Sequence, residues 1–323
     1  MKSHKPYTMT PMHAPTFSFS VPAPLTDQEL RLQTQRSLSG KLTGRILITF
    51  LNDRTESIFV QQGKVCGVYL NSHRVPDLNW ETPIRRFGRG TLELEPMPAR
   101  ALMFKKIILE EITPGRFQNA GTHQLATMFN MAEHNAIPTL FHIQWEHAEG
   151  LVLVAGKNIP ICHAVLLTRS VANAGASALS QILTWDETQC KLTIYHGDIK
   201  NQAWLEVHLN ILLEWYFQNV LNHYKQLTGT VMVKSVLGSL AMLAERKNWN
   251  ISTQDQQLKD TSMFLNAAET GNTYREMLSA LKSRIEPVIG SSLTHSIMGQ
   301  SIEPTRGVYK TIQETFSLVE DMQ

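Results

Sequence analysis

Four histidines, His123, His134, His142 and His147, lie close together in the sequence. Histidines at short spacing are a usual way to hold a metal or supply a general base. Here the spacing fits neither H-E-x-x-H nor another recognised ligand pattern. His142 and His147 flank one strand and its turn, where surface or satisfied core histidines are expected. Cys66, Cys162 and Cys190 are far apart and form no C-x-x-C pair and no zinc spacing. So sparse and odd a set fits a reducing cytoplasm. Cys66 and Cys162 stand in apolar runs, which predicts buried small hydrophobes. "RFGRGT" has the glycines of a phosphate loop but neither G-x-x-x-x-G-K-[ST] nor a following helix. Ser180 has no G-x-S-x-G elbow around it, and no carboxylate pair stands out. The expectation is therefore no catalytic residue, no metal and no cofactor.

One cluster could meet a partner. Arg85, Arg86, Arg89, Arg100, Lys105 and Lys106 form a basic segment. A solvated face is the first reading and an anionic partner surface the second. Nucleic acid comes last, because no stacking aromatics are interleaved with the charges. Arg85, Arg86, Arg89, Lys105 and Lys106 are the candidates for partner contact.

The chain has 323 residues, 42% hydrophobic and 18% charged, with net charge +2. That length allows two or three domains with ample core. The charge is too mild to argue for nucleic acid or an anionic membrane. No run approaches the ~18 apolar residues of a spanning helix. Residues 1–24 begin with lysines but have no following apolar stretch, so no secretory signal is expected. Their Pro, Thr and Ser content, with no acidic residue, predicts a disordered tail. Within it "TFSFSV" alternates like a strand and could lie on a sheet edge.

The elements come in the same order twice. "LTDQELRLQTQRSLSG" reads as a helix, with Thr26 as N-cap and Glu29 at capping-box spacing. "TGRILITFL" is a strand, and "SIFVQQGKVCGVYL" is two strands around a turn at Gly63 and Lys64. After an irregular connector containing Phe87 comes the strand "RRFGRGTLELEP", then the helix "RALMFKKIILEEI". The order restarts with the helix "HQLATMFNMAEH" and the strand "TLFHIQW". Two strands follow around Gly156 and Lys157, in "GLVLVAGKNIPICHAVL". A helix carries Ala178, Leu179, Ile182 and Leu183. Trp185 stands in the place of Phe87, then come the strand "CKLTIYHG" and a long helix from Trp204. Hairpins with flanking helices predict α+β units with mainly antiparallel sheets. The connector aromatics are expected to plug each sheet edge as buried side chains.

The second copy resembles the PatA N-terminal (PATAN) domain and a related bacterial signalling domain. The likeness rests on Gly156, His163, Ala164, Gly175, Ala178, Leu179, Ile182, Leu183 and Trp185. The first copy keeps Gly63, lacks the Ala-rich helix and has Phe87 for the Trp, so it reads as a diverged member. The resemblance covers residues 25–198. It implies no catalytic signature. It implies bacterial signalling by protein contact, linked to surface motility and type IV pili and often to an attached receiver domain, of which this sequence shows no sign.

The remaining third reads as helical. Residues 205–224 place Leu, Tyr, Phe and Val at helical steps over a wide apolar face. "ERKNWNISTQDQQLKDTS" reads as a polar connector. Gly229 and Gly290 each follow a long amphipathic helix, so two helix–Gly–helix hairpins are expected to pack as a bundle. The expected organisation is a tail over 1–24, α+β units over 25–113 and 114–203, and an all-α bundle over 204–323. The expected function is a cytoplasmic signalling or scaffold protein that binds other proteins. The alternatives are a DNA-binding regulator using the C-terminal helices and a small-ligand sensor. Glu276, Glu286, Glu314, Glu320 and Asp321 in those helices argue against a recognition helix.

Overall fold

The structure, a computed structural model, describes residues 24–111, 116–157, 159–197, 199–254, 257–264, 266–302 and 308–318. The expectations of a disordered tail and of an edge strand at "TFSFSV" lie outside those residues.

Helix α1 (Asp27–Ser39) starts at the expected capping box: Glu29 N donates to Thr26 Oγ1 at 3.4 Å and Thr26 N to Glu29 Oε2 at 2.8 Å. Strands β1 (Gly44–Phe50), β2 (Thr55–Gln61), β3 (Lys64–Leu70) and β4 (His73–Arg74) follow, then α2 (Glu81–Phe87), β5 (Gly90–Pro96) and α3 (Ala99–Glu110). The second unit opens with β6 (Arg116–Gly121) and a short 3-10 turn (Thr122–Gln124) leading into α4 (Leu125–Ala132). It continues with β7 (Thr139–Gln144), β8 (Ala148–Val154), β9 (Cys162–Thr168), β10 (Ala172–Ala174), α5 (Ala176–Leu183) and β11 (Gln189–His196). The sheet orders are β4-β3-β2-β1-β5 and β10-β9-β8-β7-β11-β6, all pairs antiparallel. The first five strands of the second order repeat the first order element for element.

The two glycine turns match in position as well. Gly63 has φ +82° and Gly156 has φ +91°, which side chains with a Cβ avoid. A Cβ at Gly63 would overlap the Leu38 carbonyl oxygen at the end of α1. At Gly156 it would stand 2.6 Å from the Asn135 carbonyl oxygen just beyond α4. In each unit the hairpin turn is pressed against the end of the helix that precedes the sheet.

The C-terminal region runs α6 (Gln202–Thr228), α7 (Thr230–Arg246), β12 (Ile251–Gln254), β13 (Gln257–Asp260), α8 (Ala267–Ile289), α9 (Ser291–Ile302) and α10 (Val308–Thr315). Gly229 and Gly290 form the turns of helix hairpins. Several elements differ from the sequence reading. The first unit's connector contains β4 and α2, so a helix does stand where α5 stands in the second. The polar connector after α7 is a two-stranded hairpin, so the bundle is not purely helical. β6 was not anticipated, because an edge strand needs no continuous apolar face.

Each sheet has two covered faces. Outward, Ile46, Ile48, Ile58, Val60, Val68 and Leu92 pack with Leu30 of α1 and Ile84 of α2. The second sheet does the same with Phe129 of α4 and Ile182 of α5. The inward faces share one core: Phe59 and Tyr69 of the first sheet and Leu140, Leu151, Val165 and Tyr195 of the second join residues of α3 and α6. α3 and α6 are the last helices of their units, so one interior holds the two copies together. Trp185 departs from the expected plug. It is half-buried and stacks on Trp145 at 5.4 Å between ring centroids, while Trp145 itself is buried. Cys66 and Cys190 are buried, but Cys162 is exposed, because the strand β9 begins at the sheet's rim there. Among the described residues no helix is long and apolar enough to cross a membrane.

Candidate functional site

The residues able to do chemistry gather where α3 meets α6. α3 buries Ala101, Leu102, Met103, Phe104 and Ile107, which is more than one stripe. Its basic side chains are thereby carried inside and must find partners there. Lys106 is fully buried and ion-paired with Glu206 of α6. Glu206 also receives Arg74 Nη2 at 3.0 Å. Arg74 Nη1 reaches Glu110 at 3.1 Å, and Tyr69 donates its hydroxyl to Glu110 at 2.7 Å. Glu110 also accepts from Ala203 N at 2.9 Å, so it sits on the N-terminal turn of α6, where the helix dipole favours a negative charge.

A second knot centres on Arg100. It donates to Glu214 at 2.7 Å, to Asn210 at 3.2 Å and to the Asp260 carbonyl at 3.2 Å. His163 Nε2 of β9 lies 2.9 Å from the other Glu214 oxygen. Asn210 donates to Asp260 at 3.0 Å, and Tyr274 of α8 donates to the same carboxyl. In the third knot Lys105 donates to Glu149 of β8 at 2.7 Å and His142 Nε2 lies 2.6 Å from Glu149.

The electrostatics follow from these contacts. Burial alone would raise the Glu149 carboxyl, but His142 and the Lys105 charge outweigh it and hold it at about 2. Burial likewise opposes ionisation of Glu214, and Arg100 with His163 brings it down to about 2. Burial, aided by Arg100, lowers His163 against the pull of Glu214. Asp260 is raised by burial despite the bonds from Tyr274 and Ser262. The seam is thus a set of matched charges that joins the two sheets. Glu149 and Glu214 contribute stability above the ordinary carboxylate range and lose it as pH falls toward 2.

The predicted residues separate. Lys105 and Lys106 do not present a face to a partner: α3 turns them inward, onto Glu149 and Glu206. Arg85, Arg86 and Arg89 are exposed. Arg85 pairs with Glu81 one turn earlier at 2.6 Å, and Arg86 lies 5.4 Å from the Phe87 ring centre. Arg100 is likewise withdrawn into the seam. His142, Asp186 and Cys190 are not brought together. His142 faces the shared interior, Cys190 packs in the opposite core of the same sheet, and Asp186 is exposed. Among the described residues no cluster of three His, Cys, Asp or Glu side chains could hold a metal. A cavity of about 230 Å³ lies between the units, bordered by Glu93, Glu95, Met97, Lys105, Glu149 and Arg169.

Sequence reasoning missed Glu56. It is fully buried, neither carboxyl oxygen has a hydrogen-bond partner, and burial pushes its pKa up to about 8. The signal was present: in "TESIFV" Glu56 shares the face of Ile58 and Val60, both in the outer core.

The solvent side carries its own features. Leu227, Val231, Val288 and Leu293 flank the Gly229 and Gly290 turns and are 55%, 78%, 46% and 50% exposed. The two turns lie at one end of the bundle. Asn210 Nδ2 donates to Tyr274 OH, and His223 meets Ser301 at 3.4 Å. Were α8 antiparallel to α6, Gly290 would lie about 24 Å from Tyr274 in the wrong direction, at 1.5 Å per residue. α9, reaching only about 16 Å to Ser301, would then fall far short of His223.

No protein-family model matches the chain, and no curated protein matches it.

Proposed function

We propose that the chain is a non-catalytic scaffold of bacterial signalling that acts in the cytoplasm by binding other proteins. The observation that supports it best is the apolar end of the helical region. Four large aliphatic side chains, 46–78% exposed, flank two turns at one end of the bundle, and exposed apolar surface gathered in one place marks protein contact sites. The resemblance of the second unit to PATAN domains supports the same class and suggests surface motility or type IV pilus regulation as the setting. The basic groups α3 contributes are engaged in joining the units, which leaves the surface as the working part.

The test is capture on the tagged full chain, compared with a Val231→Glu/Leu293→Glu variant of unchanged thermal midpoint. A protein that binds the purified wild-type chain directly, and binds the variant at least tenfold more weakly, is expected. Equal binding to both would remove the apolar end from the proposal. Turnover of a substrate by the pure chain would overturn the scaffold reading itself.

A further inference from the structure

Among the described residues, the second sheet covers an edge that the first leaves open. β6 lies along the outer side of β11, from Gly121 opposite Gln189 to Arg116 opposite Ile194. In the first sheet β5 stands in the place of β11. Among the described residues its pairing on that side is a single bridge, Leu25 to Gly90. The bridge is complete: Leu25 N donates to Gly90 O at 2.7 Å, and Gly90 N donates back to Leu25 O at 3.1 Å. Leu25 precedes the first residue of α1 by two positions. Ala120, opposite Cys190, precedes the 3-10 turn before α4 by the same two. Leu25 is therefore the counterpart of Ala120, a residue inside β6.

We propose that residues 17–24 continue this strand along β5, giving the first sheet a sixth strand supplied by the chain's own N-terminal segment. Antiparallel pairing from the bridge sets the register. Pro24 falls opposite Thr91, Ala23 opposite Leu92, Pro22 opposite Glu93, Val21 opposite Leu94 and Phe19 opposite Pro96.

Side-chain alternation agrees with that register. Phe17, Phe19, Val21 and Ala23 share the face of Leu25. On that face Leu92 is buried in the outer core, and Leu25 and Leu94 pack half-buried against it. Ser18, Ser20, Pro22 and Pro24 take the other face, beside Thr91, Glu93 and Glu95. A slip of one residue would set both phenylalanines among those polar side chains. The prolines agree independently. Leu25–Gly90 is a hydrogen-bonded pair, so the next bonded pairs are Ala23–Leu92 and Val21–Leu94. Pro22 and Pro24 fall between them, where the nitrogen points away from β5 and a missing N–H costs nothing. The same prolines leave the new outer edge short of donors, which ends the sheet there. On β5 itself, the backbone groups of Leu92 and Leu94 point to this open side, and they are the groups the added strand would satisfy.

Amide exchange read residue by residue on the full chain tests the proposal. Leu92 and Leu94 are expected to be protected in the wild type. Val21→Pro and Ala23→Pro should each speed their exchange by roughly tenfold or more. Ser20→Pro should leave it unchanged, because that nitrogen also points outward. Leu192 and Ile194, under β6, serve as internal controls. Unprotected Leu92 and Leu94 in the wild type would overturn the proposal, as would equal effects of Ser20→Pro and Ala23→Pro. Protection that appears only as protein concentration rises would also overturn it, by assigning the edge to a second copy. If a proline variant loses protection in the second sheet too, a chain beginning at residue 24 takes its place. Faster exchange at Leu92 and Leu94 then supports the proposal and unchanged rates overturn it.

Discussion

The two α+β units share a strand order and diverge in how they fill the same outer core. Phe50 stacks on Phe87 at 5.3 Å in the first unit, and Trp145 stacks on Trp185 at 5.4 Å in the second. The larger indole needs room. Gly150 provides it: a Cβ there would stand 3.1 Å from the Trp145 ring and 3.3 Å from Ile182. By register Gly150 lies opposite Ile143, as Glu56 lies opposite Ile48. The first unit therefore puts a buried carboxyl where the second puts a glycine under a tryptophan. One unit closes its core with aromatic surface. The other keeps a polar group with no partner, which costs stability whenever it must ionise. Duplicated topology thus does not imply equal local stability, and the second unit should be the firmer of the two.

The largest expected effect tests whether the units are energetically joined at all. Lys106→Ala leaves Glu206 with one cation fewer in a buried site and should cost about 3–5 kcal/mol. Denaturant unfolding followed by amide exchange in both sheets would show it. If only one sheet loses protection, the shared interior does not couple the units and each must be treated alone.

A somewhat smaller loss should separate the two indoles of the second unit. Trp145→Ala should cost about 3 kcal/mol and Trp185→Ala about half of that, since the second ring is partly in water. Equal losses would show that the stacked pair acts as one block and that Gly150 is not what sets its packing.

The smallest effect sharpens the contrast itself. Glu56→Met should stabilise the chain at neutral pH by on the order of 2 kcal/mol. Its pKa is raised from an ordinary 4.5 to about 8 in the fold. The folded state then holds a proton that the unfolded chain releases. The contribution of Glu56 is therefore fully favourable below pH 4.5 and is lost as pH rises toward 8. The stability difference between Glu56→Met and the wild type should grow across that window and level off above it. A difference independent of pH would mean that Glu56 finds a partner or water in solution.

Much of this architecture is legible in residue order. Period-two alternation marks β1 and β7, and Thr26 with Glu29 marks the start of α1. Gly63 and Gly156 mark turns that need a positive φ. These signals are local, because a few neighbouring residues suffice to satisfy a turn, a cap or a face. β6 and the β12–β13 hairpin escaped, because a strand that lies on an edge draws its stability from the neighbour it pairs with. The basic segment shows the boundary most sharply. Arg85 and Lys105 look alike in sequence, yet one is exposed beside Glu81 and the other lies on Glu149, 44 residues away. Lys106 and Arg100 find their carboxylates 100 and 114 residues away. A charge's environment depends on which distant groups the fold brings within a few ångströms, since Coulomb attraction and desolvation act through space and not along the chain. The sequence by itself determined the elements and their repeat. Only the tertiary structure decided which charges face water, which join the two sheets, and that Glu56 is buried without a hydrogen-bonding side chain or backbone group beside it.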